Sequence, residues 1–275
     1  MQLSLSRNAP RNIPAVPESR LRATWSSADY AVVGAGLQIV ADELCETVNL
    51  CEDSCVLDVA VGQGAGAQAA ARRWCDVTTT DFAPDDADRK RQRTDAENLG
   101  VRFVEGEVTA LPFADQTFDA VLSVFGAMFA ADPDRAASEM VRVCRRGGTV
   151  ALANWTASGF IGQLFGVMAR HCGQPAEGAP FLWGTEEYLW DLFGAYGRVE
   201  TVRKRVAFRH RSPKDWLAKF RAGYEPVQRM LGKLEKPRQQ TFDEELLSLA
   251  ARSNRATDGS MVVDAEYLEV LVTRR

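Results

Sequence analysis

The sequence is poor in several residues and patterns that enzyme sites often use. Only two histidines occur in 275 residues, His171 and His210, too few for a histidine-rich metal centre. There is no Cys-x-x-Cys pair. The six cysteines, Cys45, Cys51, Cys55, Cys75, Cys144 and Cys172, are scattered, and nothing near Cys51 and Cys55 completes a zinc site. The expectation is no metal and reduced, mostly buried thiols in a cytoplasmic protein. No apolar run approaches the roughly 18 residues of a membrane span, and the N-terminus has no long apolar segment, so neither a span nor a secretory signal is predicted. Positive charge is not in excess: 33 Lys+Arg stand against 37 Asp+Glu, a net charge of −4. That argues against duplex nucleic acid as the partner, because phosphate binding needs a clustered basic surface. No internal repeat and no low-complexity tract occurs.

What is present is ordinary globular material: 46% hydrophobic and 25% charged residues, enough for a buried core. Residues 1–20 carry Pro10, Pro14 and Pro17 among Arg7, Arg11 and Arg20 and read as a flexible lead. From Trp25 to about Leu50 the pattern is helical, with Leu37, Val40, Ala41, Leu44 and Val48 on one stripe. Strand patterns then alternate with helical ones. The strands are Cys55–Ala60, Asp76–Thr80 ending at Asp81, Val101–Val104, Phe118–Val124 and Thr149–Trp155. Between them lie an Ala-rich helix to Trp74, a charged helix from Asp85 to Leu99 and a helix from Asp134 to Cys144, with a Gly147-Gly148 turn before the fifth strand. Strand–helix alternation with short apolar strands predicts a doubly wound, mostly parallel sheet.

After Trp155 the rhythm changes. Helical pieces are predicted at Gly159–Arg170 and, capped by Thr185, to Phe193; a loop spans Gly173–Pro180. Val199–His210 is strand-like, helices follow over Pro213 to about Leu234 and Thr241–Ser253, and Tyr267–Thr273 closes as a strand. The run from Arg203-Lys204-Arg205 to Arg211 alternates with Val206 and Phe208, the pattern of a solvated strand face.

Two glycine motifs compete for a nucleotide. Val32-Val-Gly34-Ala-Gly36 starts like a flavin or nicotinamide fingerprint, but Ile39 stands where the third glycine belongs and no buried strand precedes it. Asp58-Val-Ala-Val-Gly62-Gln-Gly64-Ala-Gly66 is better placed, at the carboxyl end of the first strand and opening into a helix. Glycine there lets backbone approach a ligand closely, and N–H groups at the helix start can receive a carboxylate. Asp81, ending the second strand, is the acid expected on a ribose diol.

With these residues in order, the chain resembles the class I S-adenosylmethionine-dependent methyltransferases, of the small-molecule type related to the ubiquinone/menaquinone-biosynthesis enzymes. The family's acid-x-Gly-x-Gly-x-Gly reads here Asp58, Ala60, Gly62, Gly64, with alanine at the first glycine. The resemblance implies a ribose acid with an adenine-covering neighbour at Asp81-Phe82. It implies an adenine-amino acceptor and backbone cap at Glu107-Val108, where the family usually has Asp, and a methionine contact at the end of Phe118–Gly126, at Ser123. Arg145-Arg-Gly-Gly148 stands for the family's Pro-Gly-Gly turn. Trp183-Gly-Thr-Glu186 and Arg252-Ser-Asn-Arg255 resemble segments of a subfamily of unassigned acceptor. The implied fold is α/β: a doubly wound seven-stranded mostly parallel sheet, Rossmann-like, its last strand antiparallel beside the fifth, with a helical cap. One domain over 21–275 is expected, with core 50–155, cap insertions at about 156–195 and 213–255, and last strand 262–273.

The implied cofactor is S-adenosylmethionine, leaving as S-adenosylhomocysteine, and the implied partner is a small, partly apolar acceptor. Tyr30 is expected at the cofactor. Trp25, Phe125, Met128, Phe129, Asn154 and Trp155 are expected around the acceptor, and His171 is the candidate base. For each, plain packing is the competing reading. Two functional alternatives stay open: a nicotinamide or flavin oxidoreductase using Gly34–Gly36, and a non-catalytic S-adenosylmethionine-binding protein. RNA methylation is weakened by the acidic balance. A homodimer is compatible with the sequence.

Overall fold

The computed structural model describes residues 36–60, 62, 64–81, 97, 99–172 and 179–275. The expected lead, Trp25, Tyr30, Phe82, residues 32–35 of the first glycine fragment and nearly all of the expected Asp85–Leu99 helix lie outside the described residues.

A seven-stranded sheet organises the chain. Helix α1 (Gln38–Val48) precedes β1 (Cys55–Val59), α2 (Ala65–Ala71), β2 (Asp76–Asp81), β3 (Val101–Glu105) and β4 (Phe118–Val124). A 3-10 turn at Ala127–Phe129 leads to α3 (Pro133–Val143) and β5 (Cys144–Trp155). Then come α4 (Phe160–Cys172), α5 (Ala179–Leu182), α6 (Glu186–Phe193) and β6 (Gly197–His210). Helices α7 (Pro213–Gly223), α8 (Glu225–Leu231) and α9 (Lys236–Ser253) lie between β6 and β7 (Met261–Arg274). The strand order is β3-β2-β1-β4-β5-β7-β6; the first five strands pair in parallel, and β7 runs antiparallel to both β5 and β6. The mostly parallel doubly wound sheet is therefore as expected, with the final strand beside the fifth.

Side-chain alternation along the strands divides the interior into two cores. Val56, Ala120, Leu122 and Ala151 pack with Ala41, Leu44 and Cys45 of α1 and Ala67, Ala69 and Ala70 of α2. Their neighbours Leu57, Val121, Val150 and Leu152 pack with Ala136, Ala137 and Met140 of α3. Burial pushes the Cys45 and Cys144 thiols up to about 12, so both stay protonated.

The structure corrects several boundaries. The helix expected over Pro213–Leu234 is two, because Pro226 sits in the first turn of α8 and disfavours helical backbone at the residue before it. Helix α9 begins at Lys236, five residues before the expected Thr241, with Pro237 in its first turn. Gly147-Gly148 does not precede the fifth strand but lies within it. β5 starts at Cys144, and the register steps from Phe118↔Cys144 to Ala120↔Thr149, so residues 145–148 form a bulge. Gly147 takes φ +74° there, and a Cβ at Gly148 would stand 2.6 Å from the Asp119 carbonyl oxygen. Thr185 occupies the N-cap of α6, but its hydroxyl donates back to the Leu182 carbonyl at 2.7 Å instead of capping.

The basic run on β6 is answered by the acids of β7 and α6. Arg203 reaches Glu266 at 3.3 Å and Glu186 at 3.6 Å, and Arg205 reaches Glu266 at 3.7 Å. Lys204 donates to Glu269 at 2.7 Å, and Glu269 is 2% exposed. Removing one partner of a buried pair strands the other charge, at about 3 kcal/mol. Lys204→Met is accordingly expected to lower urea-unfolding stability by about 3 kcal/mol; a change within about 0.5 kcal/mol would show that the pair is not buried in effect.

Candidate active site

The carboxyl ends of β1, β2 and β4 converge, and left-handed backbone concentrates there. Ala60 has φ +53°, Gly62 +51°, Gly64 +82° and Phe125, just after β4, +63°. Ala60 thus keeps the conformation of the glycine it replaces. Non-glycine residues in this region are strained. The strain is imposed by neighbours: the Ala60 N–H donates to the Thr80 carbonyl at 3.1 Å, and a Cβ at Gly126 would stand 2.0 Å from the Ala60 carbonyl oxygen. Only glycine at 126 lets β4 leave so close to the β1 turn.

Asp58 sits beneath this turn, 1% exposed. Its carboxylate accepts from the Ala67 N–H at 2.8 Å, and a Cβ at Gly66 would lie 2.7 Å from it. The expected cofactor acid is therefore turned inward and fixes the start of α2. Ser123, expected at the methionine part, is also spent inward: its hydroxyl donates to the Val59 carbonyl at 3.1 Å and accepts from the Ala127 N–H at 2.9 Å. Among the described residues nothing lies within 4 Å of where a Cβ on Gly62 would stand.

Asp81 ends β2 half-buried, beside Glu105 in register on β3, and its carbonyl accepts from the Gly106 N–H at 3.2 Å. Glu107 and Ala110 form a small bridge, and Val108 is buried. Two residues that sequence reading missed hold this loop. Glu139 of α3 accepts from the Leu111 N–H at 2.8 Å, and Arg142 donates to the carbonyls of Leu111 at 3.0 Å and Phe113 at 2.7 Å. Arg142 also donates to Glu139, at 2.7 Å through Nε, which holds the Glu139 carboxyl below its ordinary range, against burial. The i, i+3 spacing of Glu139 and Arg142 on a helix was the signal available.

Of the residues expected around the acceptor, Phe125 and Trp155 meet each other, Met128 and Phe129 lie in the turn after β4, and Trp25 lies outside the described residues. Phe125 stacks on Trp155 (centroids 3.6 Å, 5°) and meets Tyr267 edge-on at 5.7 Å. The Tyr267 hydroxyl donates to Glu43 of α1 at 3.4 Å, so this cluster lies on the α1 face; burial and Glu43 push its phenol up, and it stays a donor. Met128 is fully buried, and Phe129 meets Phe165 of α4 at 6.0 Å. Phe165 continues to Phe181 at 5.4 Å and Tyr224 at 6.4 Å, an aromatic chain between the sheet edge and the cap. Asn154, next to Trp155, is 1% exposed. His171 is placed elsewhere, in the seam of α4 and α9, with Nε2 3.2 Å from Glu245 and its ring edge-on to Phe242 at 5.2 Å.

The methyltransferase-domain family model matches residues 57–152, the segment from β1 to β5 just described. The chain belongs to the class I S-adenosylmethionine-dependent methyltransferases. Within this family it is related to the quinone-biosynthesis members: a demethylmenaquinone methyltransferase of Deinococcus radiodurans is 38% identical over 120 residues, 42% of this chain and 50% of that one. An uncharacterised protein of Mycobacterium tuberculosis is 36% identical over 192 residues, 69% of each chain. Another from that organism matches at 36% over 176 residues, so the chain spans 64% of its length. The phosphoethanolamine N-methyltransferase 2 of Haemonchus contortus, solved with S-adenosylmethionine, shares the fold at TM-score 0.60 and 15% identity, covering 94% of this chain and 60% of that one. The S-adenosylmethionine in that structure is bound by the Haemonchus enzyme, and the comparisons do not favour the oxidoreductase alternative.

In the methyltransferase, Ala60→Gly relieves left-handed strain and is expected to leave thermal stability unchanged or raised by up to about 1 kcal/mol. Gly126→Ala, which drives a methyl into a carbonyl, is expected to cost several kcal/mol or prevent folding, about 3 or more; a harmless Gly126→Ala would mean that the two strand ends do not meet. For Glu139 the folded carboxyl is depressed, so its contribution is present above the unfolded value of about 4.3 and lost as pH falls through the folded one. Glu139→Gln is expected to cost about 2 kcal/mol at neutral pH and progressively less below about pH 4 in denaturant titrations.

Proposed function

We propose that the protein transfers the methyl group of S-adenosylmethionine to a small, partly apolar acceptor. The single observation that carries the reading is the left-handed backbone of Ala60, Gly62 and Gly64, with Ala60 held against Gly126 and Asp58 fixing the start of α2. Glycine at 62 and 64 lets backbone N–H groups approach a ligand closely. Asp81, at the next strand end, has the position and chemistry for a ribose diol, and the Glu107–Val108 segment has them for the adenine edge. The residues therefore fit the cofactor. When bound it supplies a methyl on a sulfonium, which is intrinsically electrophilic.

The chain's own work is to bind, orient and keep water out, which is proximity catalysis. Phe125 and Trp155 wall the α1 side, while Phe129, Phe165, Phe181 and Tyr224 line the approach from the cap. An apolar, aromatic lining suits a flat ring better than a charged polymer. The name of the Deinococcus relative points to a quinol-type ring, and we take that class as the first acceptor to try. His171 is not assigned as the base, because its Nε2 is occupied by Glu245, which itself is held ionised by Arg170 first and His171 second.

Calorimetry with S-adenosylmethionine tests the reading. Wild-type protein is expected to bind, and Asp81→Ala to bind roughly 30-fold more weakly, the loss of a charged hydrogen bond of about 2 kcal/mol. No heat at about millimolar cofactor would end the proposal.

A further inference from the structure

Strand alternation sends Asn154 to the face opposite Trp155. Trp155 lies with Tyr267 on the α1 side, so Asn154 shares the face of Leu152, toward α3, α5 and α6. Trp183 lies on that same face: its indole packs edge-on against Phe193 of α6 at 5.9 Å, and α6 packs on α3. The backbones meet at one point. A Cβ at Gly184 would stand 2.2 Å from the Trp155 carbonyl oxygen and 2.7 Å from the Thr156 Cα. Glycine at 184 is therefore what lets the Trp183 segment dock on the tip of β5, with Asn154 and Trp183 each the residue just before the contact on its own segment.

Both side chains end in donors that are not used. Asn154 is 1% exposed and Trp183 0%, yet Asn154 Nδ2 and Trp183 Nε1 have no hydrogen-bond partner among the described residues. A buried donor left unmade costs about 1–3 kcal/mol, and of the five unpartnered buried side-chain atoms among the described residues these two lie on segments whose backbones touch. The indole can only donate, and the unpartnered atom of the carboxamide is its Nδ2 donor, so the complementary ligand atom is an acceptor oxygen, favoured further if it carries negative charge. The Trp183 indole packs on the Phe193 ring within the hydrophobic core, and apolar surroundings strengthen a hydrogen bond to an anion.

We propose that Asn154 and Trp183 form a paired N–H site for an anionic oxygen conjugated to the atom that is methylated, a phenolate or enolate oxygen of the acceptor. The proposal rests on the methyl-transfer reading and adds to it the acceptor's polar handle. It also explains the Trp183-Gly184 segment, in which the glycine admits the backbone and the indole supplies the donor. Holding the oxygen as its anion favours the deprotonated acceptor, so the pair does part of what a general base would do.

The probe is 4-nitrophenol, added to the full chain saturated with S-adenosylhomocysteine. The Trp183 indole N–H resonance, assigned by its loss in Trp183→Phe, is expected to move downfield as the probe binds. The bound probe is expected to ionise about one pH unit lower than in water, a tenfold shift toward phenolate. Asn154→Leu is expected to remove most of that shift with the fold intact by circular dichroism. If that variant does not fold, Asn154→Asp, which keeps the shape and puts a carboxylate beside the phenolate, is expected to raise the probe's ionisation pH instead. An indole resonance that ignores the probe, a probe that does not bind, or equal ionisation in wild type and variant would each overturn the proposal; a buried water as the donors' partner would give the first. Calorimetry of S-adenosylhomocysteine on the same samples separates the readings: if the product does not bind, methyl transfer itself falls, and if it binds while the indole is silent, only the donor pair falls.

Discussion

One buried carboxylate underlies the cofactor edge. Asp58 is almost fully enclosed at the end of β1 and accepts from the Ala67 N–H at the start of α2. A carboxylate is tolerated in that position only because backbone donors and the positive end of a helix meet it. Once it is fixed, the chain between β1 and α2 has to turn tightly, and Ala60, Gly62 and Gly64 all take left-handed backbone. Gly126 then closes the turn from the β4 side, and Ser123 ties β4 to Val59 and to Ala127. Ala60 and the start of α2 are thus held from beneath by groups turned toward the protein interior.

The same logic runs along the edge. Asp119 accepts from the Cys55 N–H at 2.7 Å and pairs with Arg145, joining the start of β1 to β4. Arg142 and Glu139 clamp the loop after β3 onto α3. Phe125 leaves β4 in a left-handed conformation and is stacked on Trp155. Each strand end that could touch the cofactor or acceptor is positioned by a residue one layer further in.

Much of this was legible in the sequence. Short apolar strands alternating with helical patterns predicted the parallel sheet, and the order of Asp58, the glycines, Asp81 and Glu107 pointed to the carboxyl edge of its strands as the place to look for a site. What the sequence does not display is direction. Asp58 and Ser123 read as ligand contacts by position, but the pleat and the Ala67 N–H turn them inward. His171 read as a candidate base because histidine is scarce, whereas its place on α4 sets it against Glu245 on α9. Gly126 and Gly184 read only as members of family-like segments, because a glycine's packing need shows only when a second backbone is known to approach it. Glu139 and Arg142 had a helical spacing, but their target, the loop between β3 and β4, is a tertiary fact.

The central claim is that Asp58 serves the cofactor by building the turn, not by touching the ligand. Amide hydrogen exchange of Asp58→Ala, read together with cofactor calorimetry, tests it most directly. The amides of residues 60–68 are expected to exchange faster while the β5–β7 ladder keeps its protection, and S-adenosylmethionine affinity is expected to fall at least tenfold. Unchanged protection across the turn with unchanged affinity would contradict it.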